Sequence, residues 1–206
     1  MRELAIGIVL FDGVEVLDFA GPYEVFSLAR VPGESEPWVY PCRVSTLSED
    51  GNVVRAARGL RIVPDYSFAD SPQFDALIVP GGPGARQESE RDNLVAWLAS
   101  RRADTPIMAG VCTGALLLAR AGLLDGRSAT THAASLARLA ERHPLVQAVS
   151  GVKYVDDGDL ATSAGISAGI DLSLRLVERL IGRETAERAA RTMEYEWREE
   201  CGERGS

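Results

Sequence analysis

TPIMAGVCTGALLLARA, residues 105–121, carries the reading of the fold. A short apolar run, Thr105–Val111, meets one cysteine, Cys112, and a helix-forming stretch, Thr113–Ala121, follows with no loop between. The first piece has strand length and the second has helix length. A strand that turns at once into a helix is the junction of a βα unit. Small residues surround the turn at Ala109, Gly110, Gly114 and Ala115. A turn this sharp needs them, because bulky neighbours would clash across it.

The same alternation runs outward in both directions. Leu4–Leu10 and Asp75–Pro80 read as buried strands, Trp38–Leu47 contains a strand, and Val53–Val63 reads as two short strands around Ala57–Gly59. A further strand is expected near Ser128–Thr131, and a hairpin pairs Tyr154–Asp156 with Leu160–Ser163 across a turn at Asp156–Asp159. Helices are expected at Pro22–Arg30, with Pro22 in the first turn, and at Asp92–Arg102, Ala134–Arg142, Ser167–Ile181 and Glu184–Trp197. Strands separated by helices of about ten residues predict an α/β, doubly wound, mostly parallel sheet with helices on both faces. Such sheets place their sites beyond the carboxyl ends of the strands. Phe11–Gly21, Gly81–Gly84 and Val111–Gly114 are therefore the segments to watch.

Composition narrows the function. The chain has 206 residues, 46% of them hydrophobic, with a formal net charge of −8. An acidic chain repels phosphate backbones, so no nucleic-acid partner is expected. The apolar content is that of a folded protein. No run reaches the ~18 apolar residues of a membrane span, and no signal-peptide layout precedes the first strand, so no membrane partner is expected and a cytoplasmic location is. The expected organisation is a single domain over 1–197 and a polar tail over 198–206, too short for a DNA-binding domain. Cys42, Cys112 and Cys201 are odd in number and lack CxxC spacing, so no disulfide framework is expected. His132 and His143 have no zinc-ligand neighbours, so no metal is expected. Both read as structural or exposed residues.

Cys112 stands where a helix begins, and the free N–H groups and dipole there favour a thiolate. The same N–H groups could stabilise an anion formed when the thiolate adds to a substrate. The plainer reading is a buried structural cysteine, and Cys42 and Cys201 are read that way. A nucleophile needs a proton partner, and the first βα loop offers Asp12, Glu15, Asp18 and Glu24. Asp18 sits among apolar residues in Val16–Gly21, where burial would raise its pKa and leave an acid able to donate a proton. Its spacing to Gly21-Pro22 equally permits a helix N-cap. Gly81 and Gly82 allow close approach of backbone N–H groups to a ligand. Thr162–Gly169 is a second small-residue junction, suited to close packing, whose Gly165 and Ile166 could line the pocket.

Taken together, these segments resemble the ThiJ/PfpI superfamily, the class I glutamine amidotransferase-like fold. The stretches that carry the likeness are Leu17–Pro22, Val79–Gly82, Val111–Gly114, Gly122–Gly126 with Ala129–His132, and Ala164–Asp171. Within it the chain looks most like isonitrile hydratases and the amidase-like domains of AraC-type regulators. The resemblance implies a flavodoxin-like fold, a homodimer and no cofactor. It implies Cys112 as nucleophile, Asp18 as its acidic partner and Thr113 as the hydroxyl that orients Asp18. The amides of Gly82 and Thr113 would bind developing charge. Peptidase-like relatives carry His after the cysteine, where this chain has Thr113, and the late His-x-Glu pair of true amidotransferases is missing. Many hydratase-like sequences have Trp where Ala133 stands. The implied reaction is hydration of an isonitrile to an N-substituted formamide through a Cys112 thioimidate. The competing expectations are a small-molecule-sensing domain without turnover and a cysteine-based redox or glyoxalase-like enzyme.

Overall fold

The computed structural model describes residues 2–35, 37–88, 92–197 and 201–202. Twelve strands follow in chain order: β1 (Leu4–Val9), β2 (Cys42–Ser48), β3 (Val54–Arg55), β4 (Arg61–Ile62), β5 (Tyr66–Ser67), β6 (Ala76–Val79), β7 (Ile107–Val111), β8 (Ser128–Ala129), β9 (Gln147–Ala148), β10 (Tyr154–Asp157), β11 (Leu160–Ser163) and β12 (Cys201–Gly202). Seven helices accompany them: α1 (Val16–Leu28), α2 (Pro83–Glu88), α3 (Asp92–Arg101), α4 (Gly114–Arg120), α5 (Leu136–Arg142), α6 (Ala168–Leu180) and α7 (Arg183–Thr192).

Eight strands form one sheet in the order β12-β10-β11-β7-β6-β1-β2-β5. Every pairing in it is parallel except the hairpin β10–β11. Helices α1, α6 and α7 pack together as one layer, and α2, α3 and α4 as another. Central strands covered on both faces must be apolar at successive positions rather than alternating. Accordingly Ile6, Ile8, Leu77, Ile78 and Met108 are all buried. The expected doubly wound α/β sheet is what the chain forms.

Some boundaries differ from the expectation. The first helix begins at Val16, not Pro22, and Pro22 lies inside it. A proline there removes one backbone N–H, which frees the carbonyl four residues earlier, at Asp18. Glu15 is the N-cap, its side chain accepting from Val16 N–H at 3.3 Å. Asp18 is therefore in the first turn and caps no helix. The last helix ends at Thr192, short of Trp197. Cys201–Gly202, expected in a polar tail, pair with β10 as an edge strand. The rest of that tail, 198–200 and 203–206, lies outside the described residues. Pro83–Glu88, to which the sequence reading assigned no element, is a short helix, opened by a proline suited to its first position.

Candidate active site

The ends of β1, β6, β7 and β11 lie side by side because their pairings are parallel. Backbone bonds then stitch the following loops together. Glu15 N–H donates to the Gly81 carbonyl at 2.9 Å, and Gly84 N–H to that of Gly13 at 3.0 Å. Cys112 N–H donates to the Ser163 carbonyl at 3.1 Å. Thr131 Oγ1 donates to the Cys112 carbonyl at 2.7 Å. The three segments singled out in the sequence thus meet in one place, and the β11 loop joins them.

Cys112 occupies the left-handed region, with φ of 56°. This conformation is costly for a side chain other than glycine and points to a constrained, functional turn. Gly114 makes it feasible: a Cβ there would overlap the Val79 carbonyl oxygen. The cysteine is nearly buried, at 5% exposure.

Asp18 reaches the same point from α1. It is fully buried, Gly81 N–H donates to its Oδ2 at 3.1 Å, and its Oδ1 has no hydrogen-bond partner. A buried carboxylate oxygen without a donor disfavours the charged form. Burial lifts the Asp18 pKa to about 7; the Gly81 N–H and the Cys112 side chain, which lies against the carboxyl, pull it down, and the charge of Glu15 adds to the rise. Burial, with the negative charge of Asp18, also pushes the Cys112 thiol up to about 11. The backbone N–H groups of Ile166 and Thr113 point at the sulfur and oppose that rise. The sequence predicted a thiolate from the helix start. The N–H groups are present as expected, but desolvation outweighs them and keeps the thiol protonated.

Thr113 departs from its expected part. Its hydroxyl oxygen accepts the Gly82 N–H at 2.9 Å and lies 3.3 Å from the Gly82 carbonyl. It is bonded to Gly82 rather than to Asp18, and the Gly82 amide is occupied rather than free for a developing charge. The Gly81 amide is likewise spent on Asp18. The donors aimed at the Cys112 sulfur are the backbone N–H groups of Thr113, as expected, and of Ile166 in place of Gly82.

Ile166 itself has φ of 37° and is 38% exposed. A β-branched residue with positive φ is an outlier. Nothing in an Ala-Gly-Ile-Ser stretch announces it. Behind the loop, buried Asp171 binds Lys153 Nζ at 3.2 Å and accepts from the Tyr195 hydroxyl at 2.7 Å.

A cavity of about 210 Å³ opens over Cys112, lined also by Glu15, Pro83, Arg86, His132 and Ile166. His132 was expected to be structural or exposed. Its Nδ1 accepts from Ala134 N–H at 3.2 Å, which places the remaining ring proton on Nε2. Its ring packs on Gly165, where a Cβ would overlap it. His132 therefore belongs to the pocket wall. No periodic or spacing signal marks it, since only the fold brings it to the cysteine. Cys42 stays apart and half-buried, its thiol pushed up to about 12 by burial and by the charge of Asp75. Among the described residues no cluster of three or more His, Cys, Asp or Glu could hold a metal ion, and no helix is long and apolar enough to cross a membrane.

Comparison with known proteins adds four findings. The pattern of the DJ-1/PfpI family matches residues 5–179. An isonitrile hydratase from Pseudomonas putida is 36% identical over 196 residues, which cover 93% of this chain and 78% of that protein. The HTH-type transcriptional regulator GbdR of Pseudomonas aeruginosa is 34% identical over 192 residues, covering 93% of this chain but only 51% of the regulator. Among solved structures, a ThiJ/PfpI family protein from Pseudomonas syringae matches with a TM-score of 0.83 at 28% identity, covering 95% of this chain and 76% of that one.

Proposed function

The chain belongs to the DJ-1/PfpI family, and on that footing we propose that it hydrates isonitriles to N-substituted formamides through a covalent bond to Cys112. One observation supports this reading above the others. A buried acid with a pKa of about 7 lies against a thiol on a strained turn, at the floor of a small cavity.

An isonitrile carbon accepts both a proton and a nucleophile. The Asp18 carboxylate takes the Cys112 thiol proton and delivers it to that carbon as the sulfur adds. The H and S of the thiol are then both on carbon, and the product is a thioimidate, R–N=CH–S–Cys. Water adds to the thioimidate carbon, and Asp18 transfers a water proton to nitrogen. The tetrahedral adduct collapses to R–NH–CHO, and the sulfur leaves with the remaining hydroxyl proton returned through Asp18. A group with pKa near the working pH serves both directions of transfer. The N–H groups of Ile166 and Thr113 stabilise the sulfur while it carries negative charge. No step requires a cofactor. The oligomer in this reading is a homodimer, for which light scattering should return about twice the 22.1 kDa chain mass.

A second reading, a sensing domain that binds a small molecule without turnover, is favoured by the similarity to GbdR. Formamide formation from small alkyl and aryl isonitriles separates the two. Turnover by the wild type and none by Cys112→Ala is the expected result. Equal turnover by both proteins removes the covalent route. Saturable isonitrile binding without formamide by the wild type moves the chain to the sensing reading.

A further inference from the structure

The end of α4 opposite Cys112 carries a second concave site. Arg120 closes that helix, roughly 12 Å along its axis from the cysteine at 1.5 Å per residue. Arg120 meets Arg138 and Arg142 of α5, and His143 which ends α5, around a cavity of about 240 Å³ with Leu116 in its wall. Three arginines thus line one cavity in a chain whose net charge is −8.

The opposing charges are few. Arg120 donates to Asp92 Oδ1 at 2.9 Å, and that carboxylate is almost fully exposed. Asp125 acts on His143 from a distance. Among the described residues, the side chains of Arg138 and Arg142 have neither a hydrogen bond nor an ion pair with protein. Basic residues at helix carboxyl ends are ordinarily explained by the helix dipole or by capping of the last carbonyls. Here several of those carbonyls are served by backbone N–H groups, Ala121 to Leu117, Gly122 to Ala119 and His143 to Leu139, and neither the Arg138 nor the Arg142 side chain caps any of the others. The forks of Arg138 and Arg142 are left for something else. Burial, followed by the positive charges of Arg120, Arg142 and Arg138, holds the His143 imidazole below its usual value against the pull of Asp125. The neutral ring keeps one N–H for donation.

Arginine forks match phosphate oxygens two at a time. A cavity below the ~300 Å³ of ordinary organic-ligand pockets suits a small ion rather than a nucleotide. We propose that the Arg120–Arg138–Arg142–His143 pocket is a binding site for a small phosphate-bearing anion. The site is separate from Cys112, and its fate does not depend on the reaction assigned there.

The test is calorimetric titration with inorganic pyrophosphate near neutral pH in about 0.15 M salt, where exposed charges are screened within ~8 Å. Wild type should bind at one saturable site per chain. Arg138→Gln/Arg142→Gln should bind at least about tenfold more weakly, the size of effect expected on losing charged hydrogen bonds. Its melting temperature without ligand should match wild type, since neither side chain bonds to protein. Arg142→Glu alone should weaken binding further than Arg142→Gln. Absence of saturable binding by wild type overturns the proposal, as does equal binding by the double variant.

Discussion

Two strand-to-helix turns face the same sulfur atom, and their glycines are packed against different neighbours. The Cys112 turn after β7 is a non-glycine residue at positive φ, padded by glycine against the neighbouring backbone. The Ile166 turn after β11, the adjacent strand, is also at positive φ, but its residue is β-branched and exposed. Backbone bonds close both turns, from Ala115 N–H to the Cys112 carbonyl in the first and from Gly169 N–H to the Ile166 carbonyl in the second; the helix that follows the second also carries buried Asp171, bonded to Lys153 and Tyr195. The comparison teaches that small residues admit both turns and mark both in the sequence, but the glycine after Cys112 faces fixed backbone whereas the glycine before Ile166 faces a movable ring. The sequence marks the junctions and not the positive φ of Ile166.

The sharpest way to break the comparison is through the acid that the first turn presses against. Asp18→Asn should cut formamide formation by roughly 10²–10⁴-fold, the range for loss of a general acid–base. A rate near wild type would move proton transfer to Glu15 or His132.

The same substitution reports on stability. The unfolded chain sheds the Asp18 proton near 3.8, whereas the folded protein holds it to about 7. A raised acid pKa contributes stability that is complete below the lower value and is lost as pH rises through the higher. Unfolding free energy of wild type should therefore fall by up to about 4 kcal/mol between roughly pH 4 and pH 8 relative to Asp18→Asn. Parallel denaturation curves for the two proteins across that range would mean that the carboxyl is not held protonated.

Glycine substitutions test how each turn is backed. A methyl at Gly114 meets the Val79 carbonyl, which cannot retreat, so Gly114→Ala should cost roughly 3 kcal/mol or prevent folding. A methyl at Gly165 meets the His132 ring, a side chain that can move. Gly165→Ala should cost about 1–2 kcal/mol, most of it recovered by adding His132→Ala. Additive losses in the double variant would show that the ring is not what Gly165 accommodates.

The smallest expected effect is at Ile166. Replacing an isoleucine by glycine usually destabilises, but relief of strain at positive φ offsets the added freedom of the unfolded chain. Stability of Ile166→Gly should stay within about 1 kcal/mol of wild type, while turnover falls because the amide aimed at the sulfur is less firmly placed. A loss well beyond that range would mean that the side chain, not the backbone, is what the turn preserves.

Much of the fold was legible because its signals are local. The buried strands ending near Leu10, Pro80 and Val111 and the hairpin ending at Ser163 are marked by apolar runs and turn residues. The start of α1 was not, because Pro22 resembles a first-turn proline and the cap residue, Glu15, is not among the usual ones. Within the site, Cys112 and Asp18 stood out by their surroundings. Arg86 and His132 did not, since one short helical turn and a loop are too brief to carry a period. The hydroxyl of Thr113 was assigned to Asp18 by resemblance, and the geometry gives it to Gly82.

The amino-acid sequence by itself determined the α/β sheet, the elbow at Cys112 and the shortlist of acids beside it, because strand length, helix length and small-residue turns are properties of neighbours in the chain. Only the tertiary structure decided which acid meets the thiol, that burial keeps that thiol protonated despite the helix start, that Ile166 aims an amide at it, and that three arginines share a pocket at the far end of the same helix. Those outcomes come from desolvation, distance and charge between segments distant in sequence, and no local pattern encodes them.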